Sequence, residues 1–315
     1  MPFVRQREPG RQNRGSALLL TLLVIATLTA LTLGFSRESG TELELAGLWR
    51  DAYRAYHLSR SGMSLAVSLL REDPEQGLDS LKENWADPEH LVLPETLEPG
   101  LSLTTQVVDE CGKLNLNALV NEAGEIDLER EAQLKRLFKV LGLQEEMLAP
   151  LLDWLDRDQE ERPGGAEDSF YQGLERPYRC GNRPFATLGQ VALVKGYPRG
   201  LQDLSRFLTI YSDGTVNVHT APKEVLLSLS EGMDDSTAEA ILQYRLEGNF
   251  LSLEDLRKVP GVDEGLFAEL SPYLSLKSSA FSVTAQGQCH GAYSCLRGVF
   301  VREGGMVKTV YWQVG

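Results

Sequence analysis

The acids in DWLDRDQEERPGGAEDSFY, residues 153–171, have the spacing most suggestive of chemistry. Counted from Asp156, carboxylates fall at positions 1, 3, 5 and 12, namely Asp156, Asp158, Glu160 and Glu167. That is the ligand spacing of a twelve-residue calcium loop. Such a loop has Gly at position 6, where the chain turns sharply, and here Glu161 stands there, so an ordinary EF-hand is not expected. A looser site is compatible with the sequence. Gly164 and Gly165 let the chain fold back and carry Glu167 and Asp168 toward Asp156 and Asp158, and carboxylates with backbone carbonyls supply the 6–8 oxygens calcium takes. The alternative is a solvated acidic loop, the usual state of a charge run.

Other chemistry finds little support. The sequence has no G-x-S-x-G, P-loop or dinucleotide fingerprint. His57, His90, His219 and His290 stand in unrelated contexts and read as surface or structural histidines, so the chain reads as non-enzymatic. The four cysteines, Cys111, Cys180, Cys289 and Cys295, lack CxxC spacing, which argues against zinc. An even count in an exported chain favours disulfides. Cys289 and Cys295 flank HGAYS, a candidate hairpin tip, which leaves Cys111 for Cys180; four buried thiols is the competing reading. The stretch 232–270 resembles a helix-hairpin-helix or SAM-like unit of DNA-binding competence proteins. Its hairpins, however, carry Asp234, Asp235, Asp263 and Glu264 where a phosphate would approach, and like charge repels it.

The elements that must position these residues follow from periodicity. Leu45, Leu48, Ala52, Ala55, Met63, Ala66, Val67 and Leu70 recur at helical spacing up to Asp73-Pro74. A Pro- and acid-rich loop with a short helix near Leu81–Trp85 comes next. LSLTTQVVDE and GKLNLNAL alternate as strands. Helical spacing returns from Glu125, and the tail (AFSVTAQGQ, SCLRGVFVRE, MVKTVYWQV) alternates again, with Gly304-Gly305 as a tight turn. GKLNLNAL at 112–119 and GTVNVHTA at 214–221 echo one another, which suggests two related helical units.

At the N-terminus, residues 17–35 carry no charged side chain, and Arg5, Arg7, Arg11 and Arg14 precede them against Glu8 alone. The run reaches the roughly 20 residues a membrane span needs. A secretory signal with a shorter apolar core, cut at Thr32-Leu33-Gly34, is the alternative. The basic leader places this end in the cytoplasm and the rest across the membrane. The formal charge of −14 over 315 residues disfavours nucleic acid and suits divalent cations.

Together these residues resemble the type IV pilin-like family. Arg14-Gly15 before an apolar helix looks like a prepilin peptidase site, and GKLNLNAL, DWLDRDQ, GGAEDSFY and TVNVHTAPKEVLLSL resemble the large minor pseudopilin of type II secretion, the K class (general secretion pathway protein K). The resemblance implies cleavage between Gly15 and Ser16 with N-methylation of Ser16. It implies calcium in the helical domain, for which the spacing above offers Asp156, Asp158, Glu167 and Asp168 as ligands. It also implies I- and J-class partners and a tip position from which secreted substrates or the outer-membrane channel can be touched. Most pilins carry Glu at the fifth mature position; this chain has Leu20, a departure shared with the K class. The expected fold is α+β, a pilin-like long helix packed on an antiparallel sheet with a large inserted all-α domain. The divisions are a leader at 1–15, a membrane half of the helix at 16–36 and its amphipathic half at 37–72. First strands at 73–118, helical units at 119–213 and 214–277 and last strands at 278–315 complete them. The expected protein is a non-catalytic, single-pass inner-membrane pseudopilin with a periplasmic domain. A membrane-tethered nucleic-acid-binding protein is the rival.

Overall fold

The computed structural model describes residues 13–72, 77–93, 99–121, 123–197 and 201–315; the greater part of the basic leader lies outside them. Helix α1, Asn13–Arg71, runs unbroken for 59 residues, about 90 Å at 1.5 Å per residue. In its apolar half the hydroxyls of Thr21, Thr27, Thr29 and Thr32 donate to the carbonyls of Leu18, Leu23, Ile25 and Leu28. The only polar side chains there are therefore satisfied within the helix. Residues 16–35 are exposed throughout, and among the described residues this helix alone is long and apolar enough to cross a membrane.

The second half of α1 lies on a five-stranded sheet. Its strands are β1 (Val92–Leu93), β2 (Leu101–Asp109), β7 (Ala280–Cys289), β8 (Ala292–Glu303) and β9 (Met306–Val314), hydrogen-bonded in that order and antiparallel throughout. The helix presents small residues where it comes closest. Ala55, Ser59, Met63, Ala66 and Leu70, spaced at three or four, are all buried, facing Val107, Val283, Ala285, Leu296 and Phe300. At Gly287 an added Cβ would collide with the Ala55 carbonyl and meet the Ser59 nitrogen at 2.8 Å, and at Gly62 it would strike the Thr105 hydroxyl. Ser59 Oγ donates to the Ala55 carbonyl at 3.0 Å and lies 3.2 Å from Ser294 Oγ. The predicted apolar stripe is thus divided: Leu45 and Leu48 are half or more exposed, and only the stretch from Ala55 onward meets the sheet.

Between β2 and β7 the chain builds a helical body with its own core. It contains α2 (Leu128–Val140), α3 (Leu148–Leu155), α4 (Asp168–Gln172), α5 (Lys223–Ser228), α6 (Asp235–Glu247) and α7 (Glu264–Leu270), joined by 3-10 turns. Two short parallel pairs fasten it: β3 (Leu114–Asn115) with β4 (Leu208–Thr209), and β5 (Val216–Asn217) with β6 (Leu274–Ser275). The two echoed motifs supply β3 and β5, and their shared Asn does the same work in each. Asn115 Oδ1 accepts from the Asn117 N–H and Asn217 Oδ1 from the His219 N–H, turning the chain out of the strand. Two local expectations give way. GKLNLNAL yields two strand residues and then a 3-10 turn at Leu116–Leu119, because that Asx cap stops the ladder. Residues 81–86 form turns rather than a helix; Glu83 takes the Ser80 N–H and the Trp85 indole N–H, and Trp85 packs edge-on against Phe281.

The close approach of α1 yields a prediction. Gly287→Val should destabilise the detergent-solubilised chain by about 1–3 kcal/mol, the usual cost of overpacking, whereas Gly40→Ala, where nothing lies within 4 Å, should be neutral or stabilising. Urea midpoints measure both, and equal midpoints for Gly287→Val and parent would refute the packing argument.

Candidate functional site

The 153–171 loop folds back as its glycines allow. Gly164 adopts φ +83°, and an added Cβ at Gly165 would strike Asp153 Oδ2. Asp153, fully buried at the end of α3, accepts from the Arg162 and Ala166 N–H groups at 3.2 and 2.9 Å and from the Arg162 guanidinium at 2.7 Å. This fold-back brings one carboxylate oxygen from each of Asp156, Asp158 and Glu167 within 4.8 Å of the others, a spacing that oxygens 2.3–2.6 Å from a shared calcium would satisfy. Arg162 also pairs with Asp156. Among the described residues, both Glu167 oxygens and Asp156 Oδ1 are buried without a well-formed hydrogen bond, a costly arrangement for carboxylates. Burial pushes Glu167 up to about 7, with the nearby Asp153 and Asp156 adding to the rise, and burial raises Asp156 as well. Hard, buried and unsatisfied oxygens fit a calcium ion.

Two residues change the expected ligand set. Asp168 stands outside the cluster: its Oδ1 accepts from the Cys180 N–H at 2.7 Å and its Oδ2 from the Gln172 side chain at 3.2 Å, so it ties α4 to the 180 turn. Asn182 was not singled out from the sequence. It sits at φ +44°, donates from Nδ2 to the Asp158 carbonyl, and carries a buried Oδ1 without a partner among the described residues. An Asn directly after Cys-Gly, in a turn, was the signal available.

All four cysteines are free thiols. The Cys289–Cys295 expectation fails on register: the hairpin turns at His290-Gly291, so Cys289 pairs with Ala292 and Cys295 with Gln286, which sets the two thiols on opposite faces of the sheet. Cys111 lies against Ser279 at the root of the helical body, and Cys180 against the Asp153 carbonyl, so their pairing has no geometric support.

The hairpins of the rival reading are occupied by their own side chains. Asp234 accepts from the Thr237 N–H at 2.7 Å and Asp263 from the Leu266 N–H at 2.8 Å, filling the amides a phosphate would use. Arg245 donates to the Val218 and Ala221 carbonyls, Arg257 pairs with Glu264 and Lys258 with Asp255. His219 is a structural histidine: its Nε2 accepts from the Phe250 N–H at 2.9 Å, and burial lowers it to about 4. Gly15 and Ser16 fall in the first turn of α1, and Leu20 is 65% exposed.

Comparison with known proteins agrees with this architecture. Family models described as type II secretion system (T2SS), protein K match residues 112–213 and 216–277. The type II secretion system protein K of Pseudomonas aeruginosa is 32% identical over 262 residues, covering 79% of this chain and 77% of that protein. A shorter similarity, 39% over 74 residues, links 22% of this chain to 36% of the ComE operon protein 1 of Bacillus subtilis. Among solved structures, the GspK-GspI-GspJ complex from enterotoxigenic Escherichia coli contains a chain of the same fold, with TM-score 0.67, 23% identity, and coverage of 89% of this chain and 99% of that one. The single apolar N-terminal helix fits a protein anchored in the inner membrane. With its pilin-like helix and sheet and its helical body, the chain belongs to the type II secretion system protein K family, the K-class minor pseudopilins.

Proposed function

We propose that this protein caps the tip of a periplasmic pseudopilus and acts by assembly, without catalysis. Leu20 carries the proposal. It stands where most pilins have the Glu that docks the neighbouring subunit, so this subunit enters the bundle without that contact and needs no partner above it. The exposed apolar residues of α1, including Leu43, Leu45, Leu48 and Trp49, offer surface for partner helices. The solved relative forms its complex with GspI and GspJ, which supports I- and J-class partners here. The leader stays in the cytoplasm and the sheet and helical body are periplasmic, with the body at the tip able to meet secreted substrates or the outer-membrane channel. The engaged hairpin amides and cations weigh against the nucleic-acid-binding rival.

Mass spectrometry of the mature chain tests the assignment to the pilin pathway. The N-terminus should be a methylated Ser16, and Gly15→Leu should accumulate as a full-length, membrane-bound, unassembled precursor. A mature chain beginning near Phe35 would overturn the proposal.

A calcium ion held by Asp156, Asp158 and Glu167, with Asn182 Oδ1 available as a further ligand, completes the reading. Its role is structural, neutralising buried carboxylates and holding the fold-back of residues 153–171. At 100 times its dissociation constant, an ion stabilises the native state by about 2.7 kcal/mol, so melting temperature should rise with calcium relative to chelator. Asp156→Ala with Glu167→Ala should abolish the rise, and a parent chain indifferent to chelator would exclude the site. Without the ion, Glu167 has a native value raised above its unfolded one, so the native state retains a proton that the unfolded state releases. Its contribution is present below the unfolded value of 4.5 and is lost as pH rises through about 7. Glu167→Gln should therefore flatten the metal-free stability profile between those values, a difference read from urea titrations of parent and variant.

A further inference from the structure

The sheet has a second face that α1 leaves bare. Along β2, β7 and β8 it presents Gln106, Ser282, Thr284, Gln286 and Arg297, alternating with the residues that meet α1. The helical body overhangs this face, and between them opens a cleft of about 700 Å³ walled by Arg206, Tyr211 and Tyr311. That volume lies in the ordinary range of ligand-binding clefts, about 300–1,000 Å³.

The cleft's charge runs against the rest of the molecule. In a chain of formal charge −14, the two carboxylates at its border are already engaged. Glu110 accepts from Lys113 Nζ at 2.7 Å and from the Thr209 hydroxyl at 2.6 Å. Asp109 accepts from the Cys111 N–H and from the hydroxyls of Ser278 and Thr220. Arg206 and Arg297 are exposed and, among the described residues, neither forms an ion pair. An entering anion therefore meets two guanidinium groups and no uncommitted carboxylate. Guanidinium forks match carboxylates in a bidentate manner, and the Gln106 and Gln286 amides offer both donors and acceptors, as a polypeptide backbone requires.

We infer that this cleft binds an extended acidic peptide segment of a partner chain, with Arg206 and Arg297 receiving its carboxylates. The flanking Ser282 and Thr284 hydroxyls and the Gln side chains hold its backbone, and Tyr211 and Tyr311 close the sides. The inference does not depend on the tip reading, since it stands on this face alone.

Fluorescence anisotropy on the full chain in detergent micelles at low salt tests it, with a labelled short peptide alternating Glu and Ser as probe. Saturable binding is expected, weakened at least about tenfold by Arg206→Ala with Arg297→Ala and also by Gln286→Glu. Arg176→Ala, at an exposed site outside the cleft, should leave it unchanged. Because the altered side chains are exposed, the variants should melt with the parent. No saturable binding, equal binding by a Gln-Ser peptide, or full binding by the double Arg variant would overturn the inference. Tighter binding of an oligomeric uronic acid than of the peptide would overturn it in favour of a glycan site.

Discussion

The structure depends on one close approach, the backbone of α1 at Ala55 and Ser59 lying against Gly287 of β7. No side chain fits between them, so the helix is set on the sheet by backbone contact and not by adjustable packing. With that crossing fixed, Met63, Ala66 and Leu70 reach the apolar face of the sheet. Among the described residues nothing lies beneath the N-terminal half, which is exposed. One continuous helix thereby joins the apolar segment to the folded domain.

The buried charge of the 153–171 loop is balanced in a different way. Arg162 bridges Asp153 and Asp156, yet one guanidinium cannot serve three acids, and among the described residues no cation pairs with buried Glu167. The loop is thus geometrically complete while electrostatically short of positive charge. Protonation can supply that charge at low pH, as the raised value of Glu167 indicates. At neutral pH a divalent cation is the more effective counter-charge, since it satisfies several oxygens at once.

Much of this was legible in the sequence, and the parts that were not have identifiable causes. The apolar run before Ser36, the alternation of the last strands and the breaks at Gly142 and Gly304-Gly305 report on local backbone, which local sequence determines. The convergence of Asp156, Asp158 and Glu167 was readable because their spacing follows a counting rule. Asp168 misled because adjacency to Glu167 says nothing of direction; the N-terminus of α4 turns it toward the Cys180 amide. The Cys289–Cys295 expectation erred by placing the turn across HGAYS, when the positive φ of His290 and Gly291 makes a two-residue turn and shifts the partners by three. Ala55 and Leu48 look alike as members of one apolar stripe, and only the position of the sheet separates buried from exposed.

The helical body leaves the sheet and returns to it at neighbouring points: Asp109, the last residue of β2, stands opposite Phe281 at the start of β7. Topologically the body occupies the place of a hairpin turn. Its gain or loss in evolution would leave every strand register intact, and a chain without it would still close into a small pilin-like module. Such an arrangement lets the body change in size while the pairing of β2 with β7 stays as it is.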